Sequence, residues 1–323
     1  MSRGGKLLLL AAVAALVFAA SPFVGAQSIG WSDAFADGVG ARIFRELRLP
    51  RVVLAWFCGA TLGLCGMVFQ ALFRNPLAEP TMLGVSSGAA FGAALYIFMG
   101  WNFSLAGLPG VSLCAFGGAL TCVTALQCVA RLRPDPRGVV LLLAGVALNF
   151  FFSSFVMILQ YVGGYHDSYR LLRWTLGGLQ AVGMGEALRV LPVFGLVLAA
   201  SLAFYRELDL MLCGPEIAAS RGVPLGPVRT TLFIVVSLCV ALCVALCGPI
   251  SFIGLMVPHL ARLLVGAGHR DLTAASALLG GAFLTVCDTA ARTCLAPMEL
   301  PVGIITSFMG APFFLWLLLS RRV

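Results

Sequence analysis

Residues 230–247 read TTLFIVVSLCVALCVALC, eighteen consecutive positions without a charged side chain. As a helix this run rises about 27 Å, close to the roughly 30 Å thickness of bilayer hydrocarbon. Its apolar residues do not alternate with polar ones, as the strands of a membrane β-barrel do over about ten residues. The stretch therefore predicts a transmembrane helix.

The same pattern recurs on both sides of it. Ten spans are expected, at 7–26, 52–72, 81–99, 105–130, 139–162, 187–205, 229–247, 250–266, 272–293 and 302–319. The stretch 167–182 is too short and too polar to cross and predicts a surface helix. Composition agrees, since 60% of the 323 residues are hydrophobic and 11% are charged, against about 25% charged in soluble domains. One soluble core could not hide that apolar load. The expected fold class is all-α integral membrane, a single transmembrane domain over 1–323 seated in lipid.

Ten crossings place both ends on one side. With the N-terminus inside, thirteen basic residues fall on cytoplasmic segments: Arg3, Lys6, Arg74, Arg131, Arg133, Arg137, Arg206, Arg221, Arg229, Arg262, Arg270, Arg321 and Arg322. Eight fall outside: Arg42, Arg45, Arg48, Arg51, Arg170, Arg173, Arg189 and Arg292. That bias agrees with the positive-inside rule. Residues 3–26 also have the layout of a secretory signal peptide, two cations, an apolar run and small residues. The polytopic remainder favours an uncleaved first span.

Four arginines between Arg42 and Arg51 stand directly before the second span. One reading is snorkelling, with the stems in apolar matter and the heads in water. The other is a basic docking surface for an acidic partner, because guanidinium forks match carboxylates. The eleven cysteines sit almost all in apolar runs, and Cys239, Cys243 and Cys247 recur at one-turn spacing. Small packing residues account for them better than a metal site.

Interrupted segments carry further signals. RNPLAEP (74–80) puts two prolines and two charges between apolar runs, and Gly84, Gly88 and Gly92 follow at four-residue spacing. That spacing predicts close helix approach. In GPISFIGLMVPHLAR (248–262), Gly248, Pro249, Gly254 and Pro258 are expected to break helix hydrogen bonding. His259 and Arg262 beyond them read as structural or interface residues. Asp288 lies inside a span, and Arg292 one turn later is its economical partner. The loop 206–228 contains GPEIAASRG (214–222), with Pro215 and Glu216 as a helix start and Gly222 as its stop. Two turns cannot span a membrane, so such a helix projects towards a partner, or the stretch is a solvated loop.

Enzymatic signatures are missing. Lys6, the one lysine, is followed by Leu7 and not by the Ser or Thr of a phosphate-binding loop. There is no nucleophile elbow, zinc-protease motif or carboxylate pair.

Four stretches carry a family resemblance. They are RLPRVVLAWFCGATLGLCGMVFQALFRNPLAEPTMLGVSSGA (48–89), LLLAGVAL (141–148), GPISFIGLMVPHLARLLVGAGHRDL (248–272) and ELPVGIITSFMGAPFFLWLL (299–318). Over these the chain resembles the FecCD family, permeases of ABC importers for iron–siderophore, haem and cobalamin. The resemblance implies a ten-helix type II importer permease in the bacterial inner membrane. It implies a homodimer with the pathway between subunits, and no nucleic-acid partner. ATP and Mg would be held by a separate ATPase subunit, with no cofactor in this chain. A periplasmic substrate-binding protein would dock through its glutamates onto Arg48, Arg51 and Arg292. The ATPase would meet the 206–228 loop through Pro215, Glu216, Ala219, Arg221 and Gly222. Asn149, Ser153 and Ser154 are candidate pathway residues. At the start of the fifth span cobalamin permeases carry hydroxyl residues, whereas this chain has Arg137, Gly138, Val139 and Val140. Gate chemistry is therefore not carried over. Two rival classes are an ion-coupled secondary transporter, for which Asp288 is the available buried carboxylate, and an intramembrane enzyme, for which His259 lacks a dyad partner.

Overall fold

The computed structural model describes residues 3–25, 30, 34, 38–105, 107–133 and 139–319. Among these residues the chain is helical, apart from turns and one short hairpin. The helices are α1 (Arg3–Ala20), α2 (Val39–Leu72), α3 (Val85–Phe98), α4 (Gly110–Leu132), α5 (Val139–Val162) and α6 (Tyr165–Thr175). After them come α7 (Met184–Ala203), α8 (Tyr205–Cys213), α9 (Pro215–Ser220) and α10 (Leu225–Cys247). The last three are α11 (Ile253–Val265), α12 (His269–Thr293) and α13 (Val302–Leu319). The hairpin pairs Ser104–Leu105 with Leu108–Pro109 antiparallel.

Among the described residues seven helices, α1, α2, α4, α5, α7, α10 and α12, are long and apolar enough to cross a bilayer. Three shorter apolar helices are α3, α11 and α13. Each span expected from the sequence falls on one of these ten elements. Of the stretch 167–182, expected as a surface helix, only the part up to Thr175 is helical, in α6, which buries only Leu171; 176–182 is non-helical.

Two expectations for the interrupted segments change. The 206–228 stretch is not a loop with one short helix, because α8 occupies its first part. Leu208 and Met211, three residues apart, are buried, while Arg206 on the other side of the helix is exposed. In 248–262 the break is confined to 248–252, where Gly248 and Phe252 both take left-handed φ, 69° and 71°. Gly254 and Pro258 lie inside α11. Pro258 has no N–H to give the carbonyl four residues back, and Gly66 of α2 packs directly on that Gly254 carbonyl. Arg137 and Gly138, at the expected gate, and Arg321 and Arg322 lie outside the described residues.

The chain forms two compact units. The first comprises Met1–Met67, Gly178–Tyr205 and Ser251–Val323. Its core is the close approach of α2 to α12. A Cβ on Gly59 would come 2.7 Å from the Leu284 Cβ, and one on Gly63 would come 2.8 Å from the Ser276 carbonyl. Helices in lipid gain little from hydrophobicity against one another, so close backbone packing supplies the attraction. Phe18 of α1 meets Trp56 edge-on at 5.2 Å, which docks α1 here.

The second unit comprises Val68–Gly177 and Arg206–Ile250. Here α3 packs on α4 through the predicted small-residue face. A Cβ on Gly88 would sit 2.6 Å from the Gly118 carbonyl, and Gly92 lies against Cys114. Burial separates the helices sharply: 89% of the most apolar stretch of α2 is buried, against 11% for α5. The cysteines Cys239, Cys243 and Cys247 of α10 are all buried.

Candidate functional site

The first unit assembles three of the predicted residues around one acid. Between Ile43 and Arg48, α2 has a π-helical stretch. Pro50 follows, and it has no N–H for the carbonyl of Glu46, four residues back. That carbonyl accepts instead from the Gly183 backbone N–H at 2.8 Å. The wider turn brings Arg48 to the buried side of α2 while Arg42 and Arg45 stay exposed.

Arg51 then reaches α12. Its Nε donates to Asp288 at 3.0 Å to Oδ1 and 3.2 Å to Oδ2. Its Nη1 donates to Glu299 Oε2 at 2.7 Å. Arg292 lies one turn beyond Asp288, with its Nε 3.1 Å from Oδ2. That contact is an ion pair without hydrogen-bond alignment. Arg292 Nη2 also donates to Thr289 Oγ1 at 3.2 Å. The Asp288–Arg292 pairing expected from spacing is present, but Arg51 is the better-aligned partner. Spacing along one helix does not reveal it, because it joins residues 237 positions apart.

Arg48 completes the cluster from the side of α1. Pro22 stops α1 in a short 3₁₀ turn, Ser21–Phe23. The carbonyls of Pro22 and Phe23 accept from Arg48 Nη1 at 3.4 and 3.3 Å. The Ser21 carbonyl accepts from Arg292 at 3.5 Å.

The predicted docking arginines are thus together but not equally accessible. Arg48 and Arg292 are 8% and 5% exposed and turned inward onto carbonyls and Asp288. Arg51 is 15% exposed, and its outer edge meets Glu299, which is 57% exposed. Asp288 itself is 1% exposed. The three arginines and these two acids carry one positive charge in excess. For the ion-coupled rival this is unfavourable, because Asp288 is occupied by two arginines and closed to solvent.

The second unit presents α9. Pro215 sits at its first turn after Gly214, whose φ of 128° breaks the run from α8. At the other end Gly222 is left-handed, φ 82°. The Gly222 N–H donates to the Ala219 carbonyl at 2.9 Å and the Val223 N–H to Ala218 at 3.0 Å. This pair of bonds is a Schellman stop. Ala218 is buried and anchors the turn, while Glu216, Ile217, Ala219, Arg221 and Gly222 are exposed. So short a helix would not persist alone; the caps and the anchor hold it.

The predicted pathway residues lie on α5. Asn149 is exposed and Ser153 half-buried, one turn apart on one face. Ser154 points elsewhere and donates to the Phe150 carbonyl at 2.8 Å. His259 is buried and meets Phe313 edge-on at 6.0 Å, as a packing residue would.

Known proteins share this arrangement of helices. The model of a family described as the FecCD transport family matches residues 9–320. The chain is 37% identical to the hemin transport system permease protein HmuU of Yersinia pestis, over 98% of this chain and 95% of that one. It is 40% identical to the cobalamin import system permease protein BtuC of Halobacterium salinarum, over 87% of this chain and 74% of that one. Among solved structures, one described as an inward-facing conformation of a metal-chelate type ABC transporter matches with a TM-score of 0.83. It is 30% identical, and the match covers 100% of both chains.

Proposed function

This chain belongs to the FecCD transport family, and from that premise we propose that it is the permease of an ATP-driven importer, moving an iron chelate, haem or cobalamin into the cytoplasm. In this reading all ten apolar helices cross the bacterial inner membrane. Two copies enclose the pathway, and α5 faces the second copy. Its sparse burial supports that placement, because Asn149 facing bulk lipid would be costly.

The observation that carries the proposal is α9. A two-turn helix, stopped at both ends and exposed on the faces bearing Glu216, Ile217 and Arg221, is shaped for a groove on another protein. That protein is the ATPase. Closure of two ATPase subunits around ATP would push α9, and α10 would carry the displacement into the membrane. The Arg48, Arg51, Asp288 and Arg292 cluster would face outside and receive the substrate-binding protein. Arg51 makes the contact, while Arg48 and Arg292 hold it in place.

The test is reconstitution. Proteoliposomes holding this chain with its ATPase should accumulate substrate only with ATP and the binding protein. Deleting 215–221 should leave the membrane helices folded and release the ATPase. Solute accumulation by the chain alone would refute the proposal.

A further inference from the structure

We infer that Glu299 is an internal stand-in for a partner's carboxylate, held on Arg51 until an acidic protein surface replaces it. This rests on the docking reading above and narrows it from three arginines to one exchangeable ion pair.

Arg51 divides its donors between two very different acids. The Nε group faces Asp288, whose side chain is 1% exposed. Removing a partner from a buried pair strands a charge away from water, so this half does not exchange. The Nη1 group faces Glu299, whose side chain is 57% exposed. Ion pairs open to solvent contribute little and are screened by salt. One guanidinium thus carries a permanent acid and a replaceable one.

The placement of Glu299 suits exchange. It lies outside any helix, on the turn between α12 and α13, so its departure disturbs no backbone ladder. Leu295 and Met298 on the same turn are 51% and 69% exposed, an apolar rim beside the charge. When Glu299 leaves, the positive excess of the cluster rises from one to two, and that charge invites an incoming carboxylate. Arg48 and Arg292 are engaged differently. They donate inward to the 21–23 carbonyls and Thr289, and Arg292 pairs with the buried Asp288.

The experiment uses the full chain with its ATPase in zwitterionic phosphatidylcholine nanodiscs, with the purified substrate-binding protein of the same transporter as probe. Glu299→Gln should bind that protein roughly two- to five-fold more tightly at low salt, with an unchanged melting temperature. Glu299→Ala should do the same, and Arg51→Gln should weaken binding at least about ten-fold. Wild-type binding with unchanged or weakened affinity in both Glu299 variants would overturn the stand-in role and leave the docking reading intact. Absence of wild-type binding would instead remove the docking reading itself.

Discussion

Arg51 and Asp288, 237 positions apart in the chain, are joined by two hydrogen bonds from one nitrogen, at 3.0 and 3.2 Å. This contact ties the entry of α2 to the last turns of α12. It also turns the acid in the membrane segment, an expensive group by itself, into the centre of a neutralising cluster.

Asp288→Asn should therefore be among the most damaging single changes here. It leaves Arg51 and Arg292 without their shared buried partner, a loss of about 3–5 kcal/mol. Glu299→Gln, at the exposed end of the same cluster, should cost less than about 1 kcal/mol. Thermal unfolding in detergent separates the two, and equal effects would contradict the division into buried and exposed halves.

Gly59 and Gly280 mark the closest approach of α2 and α12, where each would direct a new Cβ into the backbone of the other helix. Gly280→Val should force the helices apart and destabilise by about 1–3 kcal/mol or more. Gly117 on α4 has open space where a Cβ would stand, so Gly117→Ala should be neutral or mildly stabilising. The contrast is read from melting temperatures measured in the same detergent.

Gly222 holds the stop of α9 at a φ of 82°. Gly222→Val places a β-branched residue in a left-handed conformation and should loosen α9 by at least about 1 kcal/mol. α9 is not one of the ten apolar helices, so those helices should melt as before. Substrate-stimulated ATP hydrolysis should fall in the reconstituted transporter. An unchanged stimulation would argue against α9 as the mechanical link.

Pro50 leaves the Glu46 carbonyl open to Gly183. Pro50→Ala supplies a competing N–H and favours an ordinary α-helical turn through 43–48. The expected result is a stable protein with weakened affinity for the substrate-binding protein, because Arg48 rotates off the Pro22 and Phe23 carbonyls. Binding equal to wild type would show that the π-helical stretch does not set the arginine positions.

Much of this molecule is legible as sequence, for reasons that are local. A charge-free run such as 230–247 needs a helix to satisfy its backbone in lipid, whatever surrounds it. Gly214, Pro215 and Gly222 bracket a short helix through their own backbone preferences. Asp288 and Arg292 share a face through spacing alone. The amphipathic α8 is harder to see, because one irregular residue, Phe204, separates it from α7 and the apolar run reads as fading into a loop.

The sequence by itself determined the ten apolar segments and the cost of placing Asp288 among them, since backbone satisfaction and desolvation act on each segment separately. Only the tertiary structure decided which cation meets that acid, which arginines turn inward and which carboxylate stays open to solvent. Those outcomes depend on distances between residues far apart in the chain, set by the glycine contacts that bring α2 against α12, and no local preference encodes them.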